Sequence, residues 1–99
     1  MICKAYDRFF KNFASRSNLR IISLLKARGM NVNEIVSGTG MEQSAVSHCL
    51  RKLYACNVVA VESRGRERVY SLNKKTVVPL LDLVDRHVKA ECKRCTKHE

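Results

Sequence analysis

A mainly helical fold with one small β-hairpin, an α+β arrangement in the order ααααββα, is what this sequence predicts. Three observations carry the prediction. Apolar residues recur at helical spacing in five separate stretches; two-residue alternation is confined to the neighbouring runs VVAVE and RVYSL; and a basic, glycine-bearing turn, SRGRE, joins those two runs. The chain has 99 residues, near the size of one small domain, and no linker, internal repeat or low-complexity stretch divides it, so residues 1–99 are expected to form a single unit.

The elements follow in order. CKAYDRFFKNF, residues 3–13, sets Tyr6, Phe9, Phe10 and Phe13 at helical spacing with Cys3 at the edge of the stripe, while Lys4, Arg8 and Lys11 face away. SRSNLRIISLLKARG offers Ser15 or Ser17 as a cap, Leu19, Ile22 and Leu25 as apolar positions backed by Ile21 and Leu24, and Gly29 as a stop. A short helix then starts at Asn31, three residues before Glu34 as a capping box requires, and ends in the Ser-Gly-Thr-Gly turn. The run MEQSAVSHCLRKLYAC makes the fourth helix, and the hairpin follows it. Pro79 is tolerated only in a first helical turn, so the last helix starts near Thr76. It is expected to continue to Cys95 with Val77, Leu80, Leu81, Val84, Val88, Cys92 and Cys95 on one face.

The fourth helix carries the chemistry. Projected at about 100° per residue, Val46, Cys49, Leu50, Leu53 and Cys56 share one face, and Ser44, Ser47, His48 and Arg51 share the opposite one. A short helix, a glycine turn and a helix of this kind match a helix-turn-helix, whose second helix lays its polar face in the DNA major groove. Hydroxyls and an amide suit phosphates and base edges, and arginine suits guanine or phosphate. A solvated surface helix would also be polar, but no acidic residue occurs from Gln43 through Val61, and Arg64, Arg66 and Arg68 surround Gly65 in the turn of the hairpin. The hairpin then serves as a wing reaching the minor groove or the backbone. The expected DNA-contacting residues are Gln43, Ser44, Ser47, His48, Arg51, Lys52, Arg64, Arg66 and Arg68.

Charge agrees with a polyanionic partner. Nineteen Lys and Arg against nine Asp and Glu leave a formal net charge of +10, which points to double-stranded DNA ahead of an anionic membrane surface. No apolar run approaches the roughly 20 residues that span a bilayer, and no signal peptide is recognisable, so a cytoplasmic protein with no membrane partner is expected. Five scattered cysteines are odd in number and do not read as a secreted disulfide framework. No polar constellation suggests a catalytic cleft, so an enzyme is not expected. Both terminal helices carry long apolar stripes beyond what one small core needs, which implies a second copy of the chain against residues 1–14 and 76–95.

From Ala14 to Leu72 the chain resembles the ArsR/SmtB family of winged helix-turn-helix transcriptional repressors. The resemblance rests on ASRSNLRIISLL, on QSAVSHCLRKLYACNVV in the recognition helix, and on SRGRERVYSL in the wing. Departures are Cys49 where the family has histidine, Asn57 where it has glycine, and the lack of Asp-Pro before the second helix. The resemblance implies a homodimer through the first and last helices that represses transcription by binding DNA and is released by an inducer. A ligand-independent architectural protein that coats DNA is the alternative.

The resemblance also implies two metal sites that can be checked by residue. In the helix before the turn, Asn31 and Asn33 occupy the cysteine positions, so that thiolate site is absent. On the last helix Asp85, His87 and His98 match three ligands in spacing, and the two histidines, about 16 Å apart along a helix, could share zinc only across a dimer. The bland reading is that Asp85 and His87 are solvated and His98 belongs to the tail. Cys3, Cys92 and Cys95 could instead gather at the dimer seam, holding zinc or another thiophilic metal or forming a reversible disulfide. Packing is the simpler role for Cys92 and Cys95, as for Cys49 and Cys56.

Overall fold

The computed structural model describes residues 4–92. It has α1 (Lys4–Ala14), α2 (Arg16–Leu25), α3 (Val32–Thr39), α4 (Gln43–Ala55), β1 (Val59–Arg64), β2 (Glu67–Leu72) and α5 (Val77–Ala90), in the expected order. Local chemistry explains most boundaries. Ser15 alone separates α1 from α2: its backbone is extended, and its hydroxyl accepts from the Asn18 N–H at 3.3 Å. Gly40, at φ 72°, ends α3 with its N–H on the Val36 carbonyl.

The α3 start is a capping box that also ties down the hairpin. Asn31 Oδ1 accepts from the Glu34 N–H at 2.8 Å and Glu34 Oε1 accepts from the Asn31 N–H at 3.0 Å, while Asn31 Nδ2 donates to Glu67 Oε1 at 2.8 Å. That Asn31 N–H and, next, the Arg28 guanidinium hold the Glu34 carboxyl below its ordinary 4.5. A carboxyl lowered in the fold stabilises above its unfolded pKa, and the stabilisation is lost as pH falls through the folded value. Glu34→Gln should therefore lower the melting temperature at pH 7, and the gap to the wild type should close as pH drops below 4.5. A gap that stays constant in acid would show that the charge is not involved.

Helix α4 ends in a Schellman motif. The Val58 N–H reaches the Leu53 carbonyl at 2.9 Å, the Asn57 N–H reaches the Tyr54 carbonyl at 3.0 Å, and Asn57 sits at φ 57°. Asparagine tolerates this left-handed geometry better than most residues, and glycine takes it at no steric cost. Asn57→Val should cost about 1–2 kcal/mol in a denaturation midpoint, whereas Asn57→Gly should be neutral or slightly stabilising. Equal losses in both would contradict the conformational explanation.

The strands are longer than expected and the turn tighter. Val59 to Arg64 pairs with Leu72 to Glu67 in antiparallel register, leaving Gly65, at φ 63°, and Arg66 as a two-residue loop. Met30 and Tyr70 exchange backbone hydrogen bonds of 2.9 and 2.8 Å, so the segment before α3 acts as a third short edge on the hairpin. This fixes the wing relative to the helix-turn-helix.

One core joins these elements. Ile21, Ile22 and Leu25 from α2, Ile35 from α3, Val46, Cys49, Leu50 and Leu53 from α4, and Val58, Val59 and Leu72 from the hairpin are buried with Met30 and Val77. Gly38 lets α3 approach α2 closely, since a Cβ there would lie 2.6 Å from Leu24 Cδ2.

Two expectations need correction, those for Leu19 and for the end of the last helix. Leu19, expected in the core, is 39% exposed, because the buried arc of α2 runs through Asn18, Ile21, Ile22 and Leu25. In the aromatic stripe Phe9 and Phe13 pack on the core, but Tyr6 and Phe10 remain 54% and 52% exposed. The last helix stops at Ala90 with Glu91 as its C-cap, so Cys92 lies beyond it rather than on its stripe. An acid next to the negative end of the helix dipole does not favour continuation. Cys3, Cys95 and His98 lie outside the described residues.

Candidate nucleic-acid interface

Helix α4 presents its polar face between two concavities. On the wing side, Ser47, Arg51 and Tyr54 of α4 meet Ser63 and Val61 of β1 and Arg68 and Tyr70 of β2 across a groove of about 450 Å³ floored by Val32 and Leu50. No acid lines this groove, and neither Arg51 nor Arg68 has a hydrogen-bond or ion-pair partner among the described residues. Two such guanidiniums in one concave surface are held ready for an anionic ligand.

The expected residues divide by position. Ser47, Arg51 and Arg68 come together in the wing groove. Gln43 and Ser44 are exposed on the first turn of α4. Arg66 is exposed at the tip of the wing, whereas Arg64 is engaged by Glu62, whose Oε1 accepts from Nε at 3.2 Å and Nη2 at 3.1 Å. His48 and Lys52 face the opposite flank, where they line a cavity with Arg8, Lys11, Asn12, Ser15, Ser17 and Asn18. Arg8 and Lys11 thus border a concavity instead of only facing away.

Sequence reasoning missed Tyr54, Ser63 and Tyr70. A signal existed: Tyr54 follows Ser47 and Arg51 at helical spacing and is 52% exposed, unusual for a tyrosine serving only packing. Tyr70 and Arg68 share one face of β2 by two-residue alternation. Cys49 is a buried packing residue; desolvation raises its thiol pKa against the smaller opposing pull of Lys52, keeping it in the unreactive neutral form.

Of the α5 zinc ligands that the resemblance implies, Asp85 and His87 are described and His98 is not. Asp85 Oδ2 accepts from Lys26 Nζ at 2.6 Å, and that bond is the first cause of its lowered carboxyl pKa. A metal there would have to displace an ammonium, and no three His, Cys, Asp or Glu side chains gather among the described residues.

Comparison with known proteins places this geometry. A family model described as "Bacterial regulatory protein, arsR family" matches residues 16–61. The chain is 42% identical over 69 residues to the HTH-type transcriptional regulator NmtR of Mycobacterium tuberculosis, a match covering 70% of this chain and 58% of that protein. It is 35% identical over 79 residues to Rv0081 of the same species, named an uncharacterized HTH-type transcriptional regulator, covering 79% and 69%. The crystal structure of Rv0081 superposes with a TM-score of 0.82 at 29% identity over 94% of each chain. A winged helix-turn-helix domain from Mycobacterium bovis superposes at 0.83 over 92% of this chain and 84% of its own; at 24% identity, that likeness concerns the fold. These relatives are named for regulation of transcription rather than for an enzymatic activity. A buried α2–α3–α4 core, a left-handed residue after the recognition helix and a hairpin locked to it are what the family match spans or adjoins, and the chain belongs to the ArsR family of winged helix-turn-helix regulators.

Proposed function

We propose that the chain is a homodimeric, sequence-specific double-stranded-DNA-binding transcriptional regulator that represses by occupying promoter DNA. The groove between α4 and the wing carries this reading: its arginines have no partner among the described residues, and no acid lines it. In the major groove Arg51, Ser47 and Ser44 read base edges, Gln43 and Lys52 flank them, and Arg66 and Arg68 bind phosphates on the wing side. Arg64 contributes less to affinity because Glu62 already offsets its charge.

The dimer follows from apolar surface left uncovered at both ends of the chain. Tyr6 and Phe10 on α1 and Leu83 and Val84 on α5 are 54%, 52%, 57% and 44% exposed, apolar surface on each terminal helix that a second copy would cover. The similar M. bovis domain is described as a homodimeric DNA-binding domain. A twofold pair sets two copies of α4 against half-sites about one helical turn apart, and an inducer that favours another dimer geometry would release the DNA.

A response of this regulator to metal or to thiol oxidation would draw on one of two places. The Asp85, His87 and His98 arrangement and the Cys3, Cys92 and Cys95 cluster both draw on positions outside the described residues, and the first must also break the Lys26–Asp85 pair. No described helix is long and apolar enough to cross a membrane, and binding to promoter DNA places the proposed regulator in the cytoplasm. Selection of bound duplexes from a random pool tests the proposal: an enriched inverted repeat is expected, whereas recovery without sequence bias would leave a nonspecific DNA-coating protein.

A further inference from the structure

Only two polar side chains are buried among the described residues, Asn12 and Asn18, at 6% and 5% exposed. Both line the same cavity, about 540 Å³ between α1, the start of α2 and the flank of α4 turned away from the wing. Asn12 Nδ2 donates to the Arg8 and Phe9 carbonyls at 3.3 and 3.1 Å, and its Oδ1 accepts from no donor among the described residues. The Asn18 carboxamide has no hydrogen-bond partner among the described residues, neither of its polar atoms is wholly sealed off, and Asn18 lines the cavity. Both carboxamides therefore keep hydrogen-bonding capacity that a molecule entering the cavity can use.

The lining defines that molecule. Arg8, Lys11 and Lys52 supply positive charge, Ser15 and Ser17 supply hydroxyls, and no acid lines the cavity. Lys11 also faces Asp7 at 3.4 Å, outside the lining. The first turn of α2 holds no acid to offset the positive end of its dipole. Ala45, Ala55, Cys56 and the neutral thiol of Cys49 make the remaining wall apolar. Cations and amides beside an apolar wall, in a volume suited to a small ligand, describe a site for an organic anion.

We propose that this cavity binds a small free oxyanion compound, a phosphorylated or carboxylated molecule. Its charged group sits against Arg8, Lys52 and the start of α2, and its occupancy changes DNA affinity through His48 and Lys52. The coupling rests on the reading of α4 as the recognition helix; the ligand site does not. A backbone phosphate of bound DNA has the same chemistry, but lining residues as recessed as Asn12 and Asn18 suit a molecule that enters the cavity more than a duplex that passes over it.

Inorganic phosphate titrated into the full chain without DNA, at ionic strength held constant with chloride and followed by heteronuclear NMR, tests the site. Saturable shifts are expected at the side-chain amides of Asn12 and Asn18 and the backbone amides of Ser15 and Ser17. Arg8→Gln should weaken saturation about tenfold while leaving affinity for a selected duplex in phosphate-free buffer unchanged. Saturating phosphate should change duplex affinity at least about threefold relative to chloride. Shifts that grow linearly or spread over the whole basic surface would overturn the site, as would an Asn18 amide that moves only when duplex is added. Saturation without effect on duplex affinity would overturn the coupling, and saturation by a chain that selects no duplex would overturn both the coupling and the DNA-binding reading.

Discussion

Replacing Leu83 or Phe10 by glutamate is expected to split the dimer and to lower affinity for an inverted-repeat duplex by at least about 100-fold. Both side chains are more than half exposed in the single chain, so an acidic substitute meets water there and the fold of the monomer survives. In a twofold interface each substitution acts twice, placing two unpaired carboxylates where apolar surface should close. The loss of DNA affinity arises because the second recognition helix no longer binds at the high local concentration set by the first. Light scattering reads the halved mass, circular dichroism reads the retained helices, and anisotropy reads DNA affinity. A monomer that binds the full operator as tightly as the wild type would show that the half-sites are not coupled through α1 and α5.

Arg51→Ala should remove about 1–3 kcal/mol of discrimination at one base pair of each half-site, a factor of roughly 5 to 150. Arg51 has no ion-pair partner among the described residues and is exposed on the polar face of α4, so its loss neither frees a buried charge nor disturbs the core. Ser47→Ala should lower discrimination in the same direction by less, since one hydroxyl replaces a bidentate guanidinium. Arg66→Ala should behave differently: at the wing tip it neutralises phosphate, so its loss weakens binding to selected and scrambled duplexes alike and reduces the slope of log affinity against log salt by about 1. If Arg51→Ala and Ser47→Ala both leave the ratio of selected to scrambled affinity unchanged, α4 does not read the sequence.

Patterns with a strong period were legible in the sequence. The buried set on α4, the Asn31 capping box and the α5 start at Thr76 follow from apolar spacing, side-chain reach and the proline restriction, all local properties. The left-handed Asn57 was visible as a substituted glycine but not as a Schellman residue, because its geometry depends on where α4 ends against Val58. What depended on tertiary placement stayed hidden. His48 and Lys52 belong to the polar face of α4 by period, yet α1 and α2 border a separate cavity on their side of the helix. Arg64 read as a free wing cation until the hairpin register placed Glu62 beside it. Asp85 matched a metal ligand only through the family resemblance, beside the simpler solvated reading, and neither showed the ion pair that Lys26 makes with it. Asn12 and Asn18 carried no signal in the sequence, since periodicity does not reveal which polar side chains two helices will enclose.

In the proposed function, paired copies of α4 and the wing read an inverted repeat. Hydroxyl-radical footprinting of the full chain on a selected duplex tests it most directly. Two protected half-sites are expected on one face of the DNA, centred about 10 base pairs apart, with flanking minor-groove protection from the wings that weakens in Arg66→Ala. Continuous protection along the duplex, unchanged when the sequence is scrambled, would contradict it.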